Sequence, residues 1–395
     1  MFTATRDVML PTTMTGSWPR PSWYREGLWG QPFEAKMNDL TFREQFSDAV
    51  ATLISDLEQT GMDILTNGDY HHDPDLAGRS WCTYPWERLN GVEKPGLGTA
   101  SALTYPPGTL IGEIMTSWRF PTIIDEVSEG TPLAYGDIWR VAQDRTTRPV
   151  KFGAISAQTV TLMTSISTDK YKEDKRDLMW RLAEIFNAEL RRLAAAGCKV
   201  IQLEEALIHI AAQEGDPGYL SFLVDCLNRE IEGLEDVEVW VHTCWGNPNM
   251  QRVVDNTDYA AGLRYYMENV NCDVWTVEAK DNPHSIEDLF QPYKGNWPVG
   301  KKIAIGGVSH RTFQVETPAE VAAQIRTALK VIPPENLIIS TDCGFGRQGV
   351  NRSVAFYKCV SLVMGTNIVR HELGFPATHV PAAEPGTGAG RDAGS

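Results

Sequence analysis

Eight short, apolar, β-rich runs, each stopping at a polar or small residue, recur down the chain: Thr12–Ser17, Asp63–Asp69, Val150–Ser156, Lys199–Glu204, Val237–His242, Cys272–Glu278, Lys302–Gly307 and Asn336–Asp342. Among them, Phe42–Thr60, Lys175–Ala195, Pro318–Val331 and Ser353–Val369 repeat apolar residues at helical spacing, and the first two run up against Gly61 and Gly197. Strand and helix in alternation make a parallel sheet. Eight such strands with no evident linker predict an α/β fold of one closed (β/α)8 TIM barrel rather than two open sheets. The repeats exceed the roughly 30 residues of a bare barrel unit, so several βα loops are long. The longest, between Asp69 and Val150, is rich in Trp, Tyr, Pro and Gly and is expected to cover the C-terminal mouth. On this reading residues 1–375 form the barrel, and 376–395, with little to bury, form a disordered tail.

The chain has 395 residues and is 42% hydrophobic, enough for a full core. Its 51 acidic against 36 basic side chains leave a net charge of −15, which repels nucleic acid and anionic membranes and leaves small molecules or proteins as partners. No stretch of 18 apolar residues occurs, and MFTATRDVMLPTT has no apolar core behind a basic start, so a cytoplasmic location is expected. Seven irregularly spaced cysteines argue against a disulfide framework, and most are expected to be small buried hydrophobes.

Barrels of this kind place reactive groups at the C-terminal strand ends. The residues closing the runs are Ser17, Asp69, Ser156, Glu204, His242 with Cys244, Glu278, the Gly307–Arg311 loop and Cys343. His242 and Cys244, two apart in VHTCWG, face the same side of an extended segment. With Cys343 as a second thiolate and Glu278 as a carboxylate, they form a donor set suited to tetrahedral Zn2+. The same spacing also arises from a core Cys beside a hydrogen-bonded His, and it is the strand-end placement that favours a metal. Trp18, Trp23, Tyr24, Trp81, Tyr84, Trp86 and Trp245 fall beside strand ends and suggest a dry, aromatic-walled mouth. The adjacent pair His71 and His72 is expected to point apart.

VHTCWGN, DVWTVEAK and STDCGFG resemble the zinc-binding strand ends of the catalytic barrel of cobalamin-independent methionine synthases. Upstream, PTTMTGSWPRP, GMDILTNGDY, YGDIWRVAQDRTTRPVKFGAIS and GCKVIQLEEAL resemble further segments of that family, in the same order. The resemblance implies His242, Cys244, Glu278 and Cys343 as zinc ligands. It also implies Ser17, Asp69 and Glu204, with Trp18 beside them, as holders of the amino-acid part of homocysteine. Relative to the family, the two acids are exchanged in length. The family stacks folate on a Trp after the third strand, and SAQTVTLMTSI has none. The family's proton-donating His near the seventh strand aligns with Arg311, and His310 lies one place away.

The chain resembles the short, core-only members of the family, some of which take methyl from a corrinoid protein. The implied function is zinc-dependent SN2 transfer of a methyl or other alkyl group to a thiol such as homocysteine, from a small molecule or a methyl-corrinoid protein. The alternatives are epoxide opening of the epoxyalkane:coenzyme M transferase type, a metal-free barrel lyase like uroporphyrinogen decarboxylase, and a zinc- or carrier-binding partner without turnover. Fold alone does not separate them.

Overall fold

In the computed structural model, which describes residues 4–74, 78–93, 99–100, 105–162, 164–205, 217–253, 259–282, 284–347 and 349–384, seven parallel strands lie side by side in chain order. They are β1 (Leu65–Thr66), β2 (Val150–Ile155), β3 (Val200–Glu204), β4 (Glu238–Thr243), β5 (Val274–Val277), β6 (Lys302–Val308) and β7 (Leu337–Thr341). The eighth position belongs to the expected first run, reduced to two parallel bridges, Thr12 to Ile339 and Thr13 to Ile64. These close the curled sheet into a TIM barrel: Thr13 N–H donates to the Ile339 carbonyl at 2.9 Å and Ile64 N–H to the Thr12 carbonyl at 3.0 Å. Pairing stops early because Thr15 N–H is taken by the Thr341 hydroxyl at 3.0 Å instead of a neighbouring carbonyl.

The outer helices follow the expected periodicity. Helix Leu40–Gln59 starts on Asp39, whose carboxylate accepts from the N–H groups of Thr41 and Phe42, and it buries Phe42, Phe46, Ala49, Val50, Leu53, Ile54 and Leu57 along one stripe. Helix Lys175–Ala195 is capped by Asp174. Helix Pro318–Ala328 begins with a Thr317 and Glu320 capping box, and helix Arg352–Glu372 begins on Asn351. No helix among the described residues is long and apolar enough to cross a membrane.

Strand alternation sends every second side chain into the barrel. Ile64, Val200, Trp240, Val274, Ala304 and Ile338 form an apolar plug there. Two and four residues further along the same strands come Gln202 and Glu204, His242 and Cys244, Thr276 and Glu278, and Ser340 and Asp342, all buried. Apolar floor, polar middle and reactive mouth thus follow from one period of two. Among residues 376–384 most side chains are exposed, but two are tied to the body of the protein. Thr378 donates from its N–H to Asn367 at 2.9 Å and from its hydroxyl to Asp63 at 2.9 Å, and Val380 is buried. This contact was not legible because Asp63 lies on the loop before β1, 315 positions away.

Candidate active site at the barrel mouth

The end of β4 and the turn after β7 bring three donors together. One ligand atom from each of His242, Cys244 and Cys343 lies within 4.8 Å of the others, and all three residues are buried. The sulfurs are 3.9 Å apart. Two thiolates bound about 2.3 Å from one tetrahedral ion sit roughly 3.8 Å from each other, so this spacing suits a shared metal. Neither ring nitrogen of His242 has a hydrogen-bond partner, although the ring is sealed from solvent. Buried polar atoms are seldom left so. Cys343 is held well below the usual thiol range by the Cys244 thiol and by His242. Contact with Cys343 and burial push Cys244 up. The contact thus favours the thiolate on Cys343 over Cys244.

Glu278, the fourth expected ligand, is committed elsewhere. Its carboxylate receives Arg311 Nε at 2.7 Å, Arg311 NH2 at 2.9 Å and Trp245 N–H at 3.1 Å. Arg311 also donates to the carbonyls of Gly246 and Met250, which clamps the loop beside the site. The sequence signal for this pairing was absent, since 33 positions separate the two residues. His310 is fully buried with both ring nitrogens unpartnered. It falls within 4.8 Å of donor atoms of Glu278, Asp281 and Asp342, and burial followed by Arg311 keeps it neutral by lowering its pKa.

Asp69 and Glu204 converge from β1 and β3 over Gly153, where an added Cβ would lie 3.6 Å from an oxygen of each. Burial, then Glu204, raises Asp69 to about 7. Glu204 is also raised by burial; it accepts from Gln202 at 2.5 Å, and its Oε2 lies 4.0 Å from His242 Nε2. Beneath them, Lys151 donates to Gln202 at 2.6 Å and lies 4.4 Å above the Trp240 ring, and burial lowers its pKa to about 7. The sequence reading missed this lysine, although β2 points it inward by simple alternation. Ser17 stands at the closing seam, its carbonyl accepting from Phe345 and Gly346, and its hydroxyl buried without a partner.

With this geometry in place, comparison with known proteins is informative. A family model, the catalytic domain of cobalamin-independent synthase, matches residues 108–363. The chain belongs to the cobalamin-independent synthase family. It is an enzyme of the methionine synthase type, a methyltransferase. Methionine synthases of Sulfurisphaera tokodaii and Saccharolobus solfataricus are each 28% identical to it, over 92% of this chain and 94% and 96% of theirs. A solved B12-independent methionine synthase from Shewanella sp. W3-18-1, in complex with selenomethionine, superposes with a TM-score of 0.73 at 26% identity, covering 93% of this chain and 99% of that one. A Methanosarcina mazei methyltransferase shares the fold, with a TM-score of 0.54 at 14% identity over 94% of this chain and 97% of that one.

In this cobalamin-independent synthase two small cavities meet above the strand ends. One, of about 120 Å³, includes Ser17, Trp18, Asp69, Trp81 and Arg347 in its lining. The other, of about 40 Å³, is walled by Met115, Trp118, Glu204, Cys244 and Cys343, with Trp81 and Arg347 shared. The loop after β1 therefore does cover the mouth, as expected. Trp18 and Trp81 line it, Trp86 and Trp245 are core, and Trp23 is exposed. Against expectation the rings of His71 and His72 do not point apart but lie 4.1 Å from each other; His71 also stacks on Phe152, and neither joins a donor cluster among the described residues. Trp118 and Arg347 were missed from sequence, because neither lies at the end of an apolar run.

Proposed function

We propose that this protein transfers a methyl group to the sulfur of homocysteine, using Zn2+ held by His242, Cys244 and Cys343. The observation that carries this reading is the convergence of one imidazole and two thiols at the spacing of a common ion, beside the buried pair Asp69 and Glu204. A free thiol has a pKa near 8.5, and bound to zinc it is deprotonated at neutral pH and ready to attack a methyl carbon. Glu278, the fourth candidate ligand, would have to share its carboxylate with Arg311. Asp69 and Glu204 orient the acceptor through its ammonium group, and Ser17 adds its free hydroxyl. Trp81, Trp118 and Met115 keep water from the attacking sulfur, which an in-line displacement needs. His310, unpartnered in the described structure, would relay a proton to the departing donor, one ring nitrogen taking up a proton as the other gives one up, while Arg311 is hydrogen-bonded to Glu278. The donor is a small molecule or a methyl-corrinoid protein. Thiolate chemistry and cysteines that form no disulfide among the described residues suit a cytoplasmic setting.

A metal-free lyase gives no reason for the two sulfurs to meet an unpartnered imidazole. Elemental analysis of the purified chain is expected to give one zinc per molecule. Cys244→Ser and Cys343→Ser should each lose the metal and methionine formation together while far-UV circular dichroism stays unchanged. Full zinc occupancy in both variants would end the assignment.

A further inference from the structure

The cations around the mouth differ in one respect. Arg20 donates to the carbonyls of Glu26, Tyr70 and His72, Arg88 to those of Tyr84 and Gln31, and Arg311 to Glu278. The guanidinium of Arg347 donates to no described residue. It is only 9% exposed, its plane is held 4.0 Å from the centre of the Trp81 ring, and its methylenes pack over Gly78, where a Cβ would meet them at 3.0–3.4 Å. Arg347 lines both cavities, the one with Ser17 and Asp69 and the one with Cys244 and Cys343. A fixed, largely desolvated guanidinium without an acceptor is unfavourable, and its planar fork matches a carboxylate with two parallel hydrogen bonds.

We propose that Arg347 is the specificity-determining residue that binds the carboxylate of the acceptor, so that the mouth selects an α-amino-acid thiol over a thiol lacking that group. The inference rests on the homocysteine reading above. Asp69 shares one cavity with Ser17 and Arg347, and Glu204 shares the other with the two sulfurs and Arg347, so the acids are available to the ammonium group, Arg347 and the free Ser17 hydroxyl to the carboxylate, and the sulfurs' end to the thiol. A sulfonate thiol would satisfy Arg347 and leave both acids facing an anion.

Calorimetric binding to the purified full-length chain, with no methyl donor present, tests this. The probes are homocysteine, 3-aminopropane-1-thiol, which lacks only the carboxylate, and 2-mercaptoethanesulfonate. Arg347→Met is expected to weaken homocysteine by about ten- to a hundredfold while leaving 3-aminopropane-1-thiol within about twofold. Arg347→Lys should recover part of the loss, and zinc content and circular dichroism should stay unchanged in both variants. Undiminished homocysteine binding by Arg347→Met, or equal loss for the two amines, overturns the assignment of Arg347 alone. Binding of 2-mercaptoethanesulfonate in preference to both amines, or of none of the three by the unsubstituted protein, overturns the acceptor reading beneath it.

Discussion

Asp69 sits in the left-handed backbone region, at a φ of 55°, with its carboxyl raised to about 7 by burial and by Glu204. An unfolded Asp titrates near 3.9, so between about pH 4 and pH 7 the folded state holds a proton that the unfolded state has released. Stability is therefore greatest below about pH 4 as far as this group is concerned, and it declines as pH rises through 7, by up to about 4 kcal/mol. Acceptor binding runs the other way, because only the ionised form attracts an ammonium group. Asp69→Asn is expected to raise the Tm at pH 8, to weaken homocysteine binding, and to flatten the fall in affinity otherwise seen below pH 7. Thermal melts and binding titrations across pH 5 to 8 check all three; a lower Tm at pH 8 would mean that the charge is compensated in the fold. Positions such as Asp69, Glu204, His242 and Cys343 were legible because each closes an apolar run. The commitment of Glu278 to Arg311 and the isolation of Arg347 were not, since both depend on how loops from different repeats meet.

At the scale of elements, β6 makes room for the turn after β5. Asp342 accepts from the N–H groups of Ala279, Lys280 and Asp281, fixing the chain just beyond Glu278, and a Cβ on Gly306 would fall 1.7 Å from its Oδ1. Gly306→Ala should cost about 1 to 3 kcal/mol by overpacking and, by displacing Asp342, move its neighbour Cys343 and lower zinc affinity. Competition against a chromophoric chelator would show it; unchanged zinc affinity would mean that the turn relaxes without disturbing the thiol. The segment after β2 carries a different consequence. Helix Ala157–Leu162 turns Gln158 into the core, where its amide bonds the Leu223 carbonyl, and offers no ring to stack a pterin. The cavity over the sulfurs is also far below the roughly 300–1,000 Å³ of common cofactor pockets. Methyltetrahydrofolate is therefore expected to support little or no methionine formation, and efficient turnover with it would refute this. The strands and long helices were readable from periodicity, while the bridges of the Thr12–Thr13 segment were not, because Thr15 bonds to a side chain.

For the molecule as a whole, one buried arginine stitches the two ends of the chain. Arg370 donates to the carbonyls of Met9 and Leu10 and pairs with Asp63 at 2.7 Å, while Asp63 also receives Thr12 and Thr378. Arg370→Met leaves the Asp63 charge uncompensated and should destabilise the fold by about 3 to 5 kcal/mol, read by urea denaturation, with zinc content per folded molecule unchanged. A loss below about 1 kcal/mol would show that Thr12 and Thr378 suffice. The same seam carries a further implication for how the protein comes into being. Thr12 finds its partner Ile339 only after every other strand of the barrel has left the ribosome, and Ser17 meets Phe345 and Gly346 later still. A nascent chain that has emerged only through β6 already holds His242 and Cys244, yet it lacks Cys343 and any wall behind Ser17. On the proposed function, capture of the metal and of the acceptor would wait until the turn after β7 has emerged, and a product truncated before it would be born without either.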